Sequence, residues 1–168
     1  NRPEDAKARG NEVLLDEIPL EARQSSLGNT SYYLDAGFGP LFHFGFGLSY
    51  TSFEYENLSL SNFELSPNAV LDINFNLTNT GNFEAVEVVQ MYVTDLVGST
   101  VRPVKELKDF KRVRLKPGET RKISFQLPIA RLAFYGIDME YKVEPGMFKL
   151  MIGGNSQEGL TAQFSVCR

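Results

Sequence analysis

From Phe53 to the end of the chain, apolar side chains recur at every second position in short runs divided by turn residues. That period restricts the fold more than any other feature. Residues 70–78 show it most plainly: Leu71, Ile73, Phe75 and Leu77 alternate with Asp72, Asn74, Asn76 and Thr78. A helix would scatter these side chains around its circumference, whereas a strand sends them to opposite faces of a sheet, one buried and one wet. Ile123, Phe125 and Leu127 repeat the pattern, as do Phe148, Leu150 and Ile152, and then Ala162, Phe164 and Val166. Residues 86–93 are different, with Val86, Val88 and Tyr92 on one side and Val89, Met91 and Val93 on the other. Such a strand is expected to be central in its sheet, or covered by a neighbouring domain.

The punctuation agrees with strands. Asn79-Thr80-Gly81-Asn82 offers residues suited to positive φ, and Lys116-Pro117-Gly118-Glu119 places Pro at the second position of a turn. Glu144-Pro145-Gly146 is expected to close a hairpin between Tyr141 and Val143 on one side and Phe148, Leu150 and Ile152 on the other. Residues 103–115 suggest one or two edge strands with Val104, Leu107, Phe110, Val113 and Leu115 as the apolar set. Residues 128–135 suggest a helical turn or irregular corner with Leu132 and Phe134 turned inward. About seven strands with turns every 8 to 12 residues predict an all-β, seven-stranded antiparallel sandwich of immunoglobulin-like type. Trp is absent and Cys167 is the single cysteine. The antibody Cys-Trp-Cys pattern is therefore excluded, as is an intrachain disulfide.

The first 31 residues lack this order. They are charged and small, with a modest apolar patch at Val13, Leu14, Leu15, Ile18 and Leu20, and Pro19 stops any helix there. They are expected to be mostly loop, an irregular N-terminal extension packing on something outside this sequence. Between the two regions lies Pro40-Leu41-Phe42-His43-Phe44-Gly45-Phe46-Gly47-Leu48-Ser49-Tyr50-Thr51-Ser52-Phe53. Glycines let backbone pass close to neighbours while aromatics anchor on both sides, so this stretch is expected to be a buried connector. The predicted division is residues 1–50, the tail of a preceding domain plus the connector, and residues 51–168, the sandwich.

This connector, preceded by Tyr33-Leu34-Asp35, resembles the segment entering the C-terminal fibronectin type III-like domain of glycoside hydrolase family 3 β-glucosidases. The family pattern there is P-L-Y-P-F-G-Y-G-L-S-Y-T-x-F, from which His43 and Phe46 depart. The resemblance continues through Val88-Val89-Gln90-Met91-Tyr92-Val93, residues 102–108 (Arg-Pro-Val-Lys-Glu-Leu-Lys), residues 115–120 (Leu-Lys-Pro-Gly-Glu-Thr) and Glu144-Pro145-Gly146. It covers most of residues 32–154. Arg2-Pro3 is similar to the Gly-Arg-Pro of the family's α/β domain, with a longer gap before Tyr33 than is usual. Residues 4–31 are open to reading as a loop or as a homo-oligomer contact.

The resemblance implies a retaining β-glucosidase that removes terminal non-reducing glucose, periplasmic or secreted. It also implies that the catalytic Asp and Glu lie in upstream barrel and α/β domains. The partner would be an N-terminal fragment of the same enzyme carrying those domains, which would also bind most of the β-glucoside substrate. No catalytic, cofactor-binding or metal residue is then expected here, no cofactor is called for, and the chain by itself would be inactive. The start at Asn1, without initiator Met or signal peptide, is read as a piece of a longer polypeptide.

The residues, taken without the resemblance, carry little chemistry. His43 is the only histidine and lies in a strand-like aromatic setting, where packing is the simpler role. One His and one Cys do not make a metal site. Gly45-Phe46-Gly47 lacks the third glycine of a phosphate loop. Glu54 with Glu56, and Glu84 with Glu87, are pairs by spacing only and are expected to be solvated. Asp35 is expected to cap a turn or pair with a base at the domain boundary. The sequons at Asn29, Asn57 and Asn76 matter only in a glycosylating host. A net charge of −4, with the basic run 108–114 interrupted by Asp109, Phe110 and Val113, argues against nucleic acid. No apolar stretch reaches the roughly 20 residues of a membrane helix. Two alternatives stay in view: a carbohydrate-binding module, with Phe38, Phe63 and Phe83 as candidate platforms, and a structural or adhesive sandwich.

Overall fold

A computed structural model describes residues 40–167. The elements follow the alternating runs. In chain order they are β1 (Phe53–Leu60), β2 (Glu64–Leu65), β3 (Val70–Asn79), β4 (Ala85–Asp95), β5 (Glu106–Leu115), β6 (Thr120–Pro128), a 3-10 turn (Ile129–Leu132), β7 (Phe134–Tyr135), β8 (Tyr141–Lys142), β9 (Gly146–Gly153) and β10 (Leu160–Val166). Seven of the strands have seven or more residues; β2, β7 and β8 have two each. One sheet has the order β1-β3-β6, the other β2-β10-β9-β4-β5, and β7-β8 form a small ribbon. This is the expected all-β sandwich.

The core lies between the two sheets. Leu71, Ile73, Phe75 and Leu77 of β3 are completely or almost completely buried, as the alternation requires. Val89, Met91 and Val93 of β4, Phe125 and Leu127 of β6, Leu150 and Ile152 of β9, and Phe164 of β10 complete the same cluster. Phe75 stacks between Tyr55 and Phe125, with ring centroids 6.1 and 6.2 Å away, and Phe148 stacks on Phe164 at 5.5 Å. Gly118 adopts φ +73, directly after Pro117, and Glu119 N–H donates to Lys116 C=O at 3.0 Å, the turn chemistry read from the sequence.

Three expectations need correction. The segment around Glu144-Pro145-Gly146 does not close a hairpin: β8 pairs with β7, and β9 pairs with β10 and β4. Val104, Leu107 and Phe110 are exposed: Val104 precedes β5, Phe110 pairs opposite Gln90 on the outward face, and the register slip between Met91 and Tyr92 sets Leu107 opposite Tyr92 on that same face, leaving Val113 and Leu115 of this set in the core. Gly81 does not supply positive φ; a Cβ there would lie 2.2 Å from Thr51 Oγ1, so close approach excludes a side chain. Strand β4 is flanked on both sides, by β9 and β5, as its two apolar faces suggested.

Candidate functional site

Register places Gln90, Tyr92 and Val88 of β4 on the face of the five-stranded sheet that points away from the core. Their partners Phe110, Leu107 and Arg112 of β5, and Met151 and Gly153 of β9, share that face. Gln90, Tyr92 and Met151 are buried there, together with Phe134; none except Gln90 is polar throughout, and none belongs to the inter-sheet cluster. They are covered by an outer layer of irregular chain. Gly45, at φ +84, lies so close to Gln90 that a Cβ would fall 2.4 Å from Nε2. Only glycine meets both the left-handed backbone and the close approach. Gln90 Nε2 donates to Gly154 C=O at 2.5 Å, and Tyr92 O–H donates to Gln90 Oε1 at 2.5 Å. Burial raises the Tyr92 pKa above its ordinary value.

Two further links tie the layer together. Ser156 N–H donates to Phe44 C=O at 2.8 Å, while Lys105 Nζ donates to Ser156 C=O at 2.5 Å. The connector and the β4–β5 loop therefore meet at one residue. At the connector's far end, buried Asn79 uses its whole amide. Its Nδ2 donates to Phe83 C=O (2.8 Å) and Leu115 C=O (3.0 Å); its Oδ1 accepts from Thr51 Oγ1 (2.5 Å) and Gly81 N–H (3.1 Å).

The connector is thus seated through Gly45, the Phe44 carbonyl and the Thr51 hydroxyl, while several of its large side chains face outward. Phe44, Leu48 and Tyr50 are 67, 94 and 93 % exposed, and Phe46 is half exposed. This corrects the expectation that the aromatics of the connector are buried on both sides: Phe44 and Tyr50 are largely exposed. His43 is half-buried and lies in no strand, contrary to the strand-like setting expected of it.

Where the connector enters the sandwich, an open cleft of about 460 Å³ lies between β1 and the β9–β10 loop. Phe53, Tyr55, Glu87, Asn155 and Glu158 are among its lining residues. Tyr55 O–H donates to Glu87 Oε1 at 2.6 Å, joining one sheet to the other. Burial, and then the Glu87 carboxylate, hold the phenol far above its ordinary pKa, so it stays neutral. Glu87 was expected to be solvated; it is a half-buried acceptor instead. Glu84 pairs with Arg114 at 3.0 Å, and Glu54 and Glu56 are exposed on β1 as expected. Asp35, Phe38, Asn29 and the extension fall outside the described residues. Among the described residues no group of three or more His, Cys, Asp or Glu side chains is placed to hold a metal. Phe63 and Phe83 are exposed in separate loops.

Sequence reasoning missed Asn79 and Gln90 as buried polar anchors. Asn79 was read as one residue of a turn, and Gln90 as one position of an apolar run. The only available signal was a polar residue at a position the alternation assigns to the interior.

The comparisons with known proteins fit this geometry. Residues 87–156 match the family described as "Fibronectin type III-like domain". The chain contains a fibronectin type III-like domain, and its relatives are family 3 beta-glucosidases and beta-xylosidases. It is 42 % identical over 127 residues to a periplasmic beta-glucosidase of Salmonella typhimurium, which covers 76 % of the chain and 17 % of that relative. It is 46 % identical over 118 residues to a beta-xylosidase of Formosa agariphila, covering 70 % of the chain and 16 % of the relative. Among solved structures, the beta-glucosidase from Listeria innocua in complex with isofagomine superposes with a TM-score of 0.75 at 34 % identity, over 81 % of this chain and 19 % of that one. The chain therefore spans about a fifth of the length of the relatives it matches. No helix of the described residues is long and apolar enough to cross a membrane.

Proposed function

We propose that this fibronectin type III-like domain is the accessory part of a larger family 3 glycosidase, and that its connector face docks on the catalytic domains. The observation that carries this reading is the connector itself: its backbone is fixed by Gly45, Phe44 C=O and Thr51, while Phe44, Leu48 and Tyr50 project outward. Fixing a row of large apolar groups against water is unfavourable unless another surface covers them. Relatives about five times longer supply the candidate surface. The enzyme so completed would hydrolyse terminal β-D-glucosyl residues with retention, in the periplasm or outside the cell. Both catalytic carboxylates would come from the other domains, and the domain alone would be inactive.

Native mass spectrometry followed by a denaturing run tests this directly. A particle much larger than the 18.9 kDa chain, cleaving an aryl β-glucoside, is expected. Substituting Phe44→Ser and Tyr50→Ser in the complete enzyme should lower its melting temperature. A free 18.9 kDa chain that binds insoluble polysaccharide would overturn the reading in favour of a binding module.

A further inference from the structure

A second group of exposed apolar side chains lies apart from the connector. Val97 and Val101 in the β4–β5 loop are 78 and 92 % exposed, and Ile137 and Met139 at the tip of the β7–β8 ribbon are 80 and 77 % exposed. The frame beneath them is rigid. Ser99 N–H and Oγ both donate to the Glu144 carboxylate, at 2.9 and 2.5 Å, and Ile137 N–H donates to Ser99 Oγ at 3.2 Å. A Cβ on Gly136 would stand 2.7 Å from Glu144 Oε1, so any larger residue there would have to displace the carboxylate that Ser99 holds. Met139 is held at φ +63, a left-handed conformation that is strained for a methionine. The charges at the tip are satisfied internally, Lys142 pairing with both Asp138 and Glu140. The tip therefore offers apolar contact rather than an unpaired charge.

Strain and apolar exposure on one pinned tip are both unfavourable in water. Together they describe a loop whose binding conformation is already set before a partner arrives. The loop beneath the tip also belongs to the connector's layer, because Lys105 and Phe44 meet at Ser156 and Arg102 lies 4.2 Å above the Phe134 ring at the base of β7. A single body covering the connector can therefore continue onto the tip.

We propose that Ile137 and Met139, with Val97 and Val101, form a second, preorganised anchor that inserts into an apolar recess on the catalytic part of the same enzyme. The inference rests on the docking role proposed above and names an additional place and chemistry for it. The partner is a concave apolar surface of the remaining four-fifths of the polypeptide.

Hydroxyl-radical footprinting of the intact enzyme, read by peptide mass spectrometry, tests this on native residues. Met139 and Tyr141 should oxidise about tenfold more slowly in the native enzyme than after unfolding in urea, while Phe63 and Phe83 keep most of their reactivity. Ser99→Ala, which removes both hydroxyl bonds of the pin and keeps the Ser99 N–H bond to Glu144 and the apolar tip, should restore part of the Met139 reactivity. Protection that survives this substitution unchanged would overturn preorganisation by Ser99. Reactive Met139 beside protected Phe44 and Tyr50 would overturn the second anchor and leave the docking role standing. Reactivity at all of these sites would overturn both. Protection appearing only at concentrations where the enzyme self-associates would assign the tip to a second copy instead.

Discussion

The two faces of β4 are packed by different physics. Toward the other sheet, Val89, Met91 and Val93 meet a dry cluster of aliphatic and phenyl groups, held by close packing alone. Away from it, Gln90 and Tyr92 are buried beneath irregular chain, and the fit depends on particular hydrogen bonds and on a glycine that lets backbone come within contact of an amide. The first face is saturated by this domain. The second is only half covered, and Val88, Leu107, Phe110, Phe44 and Tyr50 remain exposed. A sandwich can thus be self-sufficient in its core and incomplete on one surface.

Substitutions should separate the two faces by size of effect. Phe125→Ala, deep between the sheets and stacked on Phe75, should cost about 3–5 kcal/mol in urea unfolding of the chain. A loss under 1 kcal/mol would mean that the core is not the main source of stability. In the outer layer, Gly45→Ala should cost about 1–3 kcal/mol, from positive φ and the clash with Gln90. The loss should be felt locally, as faster proteolysis within residues 44–50, with a smaller shift of the global midpoint. A global shift equal to that of Phe125→Ala would erase the distinction between the faces.

Tyr55 sharpens the comparison at the cleft, where the two sheets are joined by a polar contact rather than by packing. Its pKa in the fold is raised above the ordinary value of 10.0, so above about pH 10 the unfolded chain loses a proton that the folded chain keeps. Stability should be fully present below pH 10 and decline as pH rises further. Tyr55→Phe should flatten that alkaline decline; an unchanged pH profile would show that the phenol is not the group responsible. The smallest effect is expected at the connector's outward side chains. Phe44→Ser and Tyr50→Ser should change the unfolding free energy of this chain by no more than about 0.5 kcal/mol, since both rings are exposed within it. A large loss in the chain alone would mean that these rings are covered from within.

The sandwich was legible because alternation is a local signal. Once Leu71, Ile73, Phe75 and Leu77 share a face, every neighbouring strand must meet that face with its own apolar set, and β6, β9 and β10 do so. The outer layer was hardly legible. Phe44 has the composition of a buried segment, and only the fold shows that its carbonyl is held by Ser156 N–H while its ring is exposed. Glu87 has the spacing of a solvated carboxylate, yet the opposite sheet brings Tyr55 to it across 32 positions. Leu107 belongs to the apolar set of an expected edge strand, and only the register slip between Met91 and Tyr92 sets it on the outward face.

The sequence by itself determined the strands, the sheet class, the Pro117-Gly118 turn and the kinship with family 3 glycosidases, because period, turn chemistry and serial motifs are all written within a few neighbouring residues. Tertiary structure alone decided which apolar residues this domain keeps for itself and which it leaves exposed. Burial depends on what chain arrives from elsewhere, and Phe44, Leu48, Tyr50, Ile137 and Met139 stay exposed.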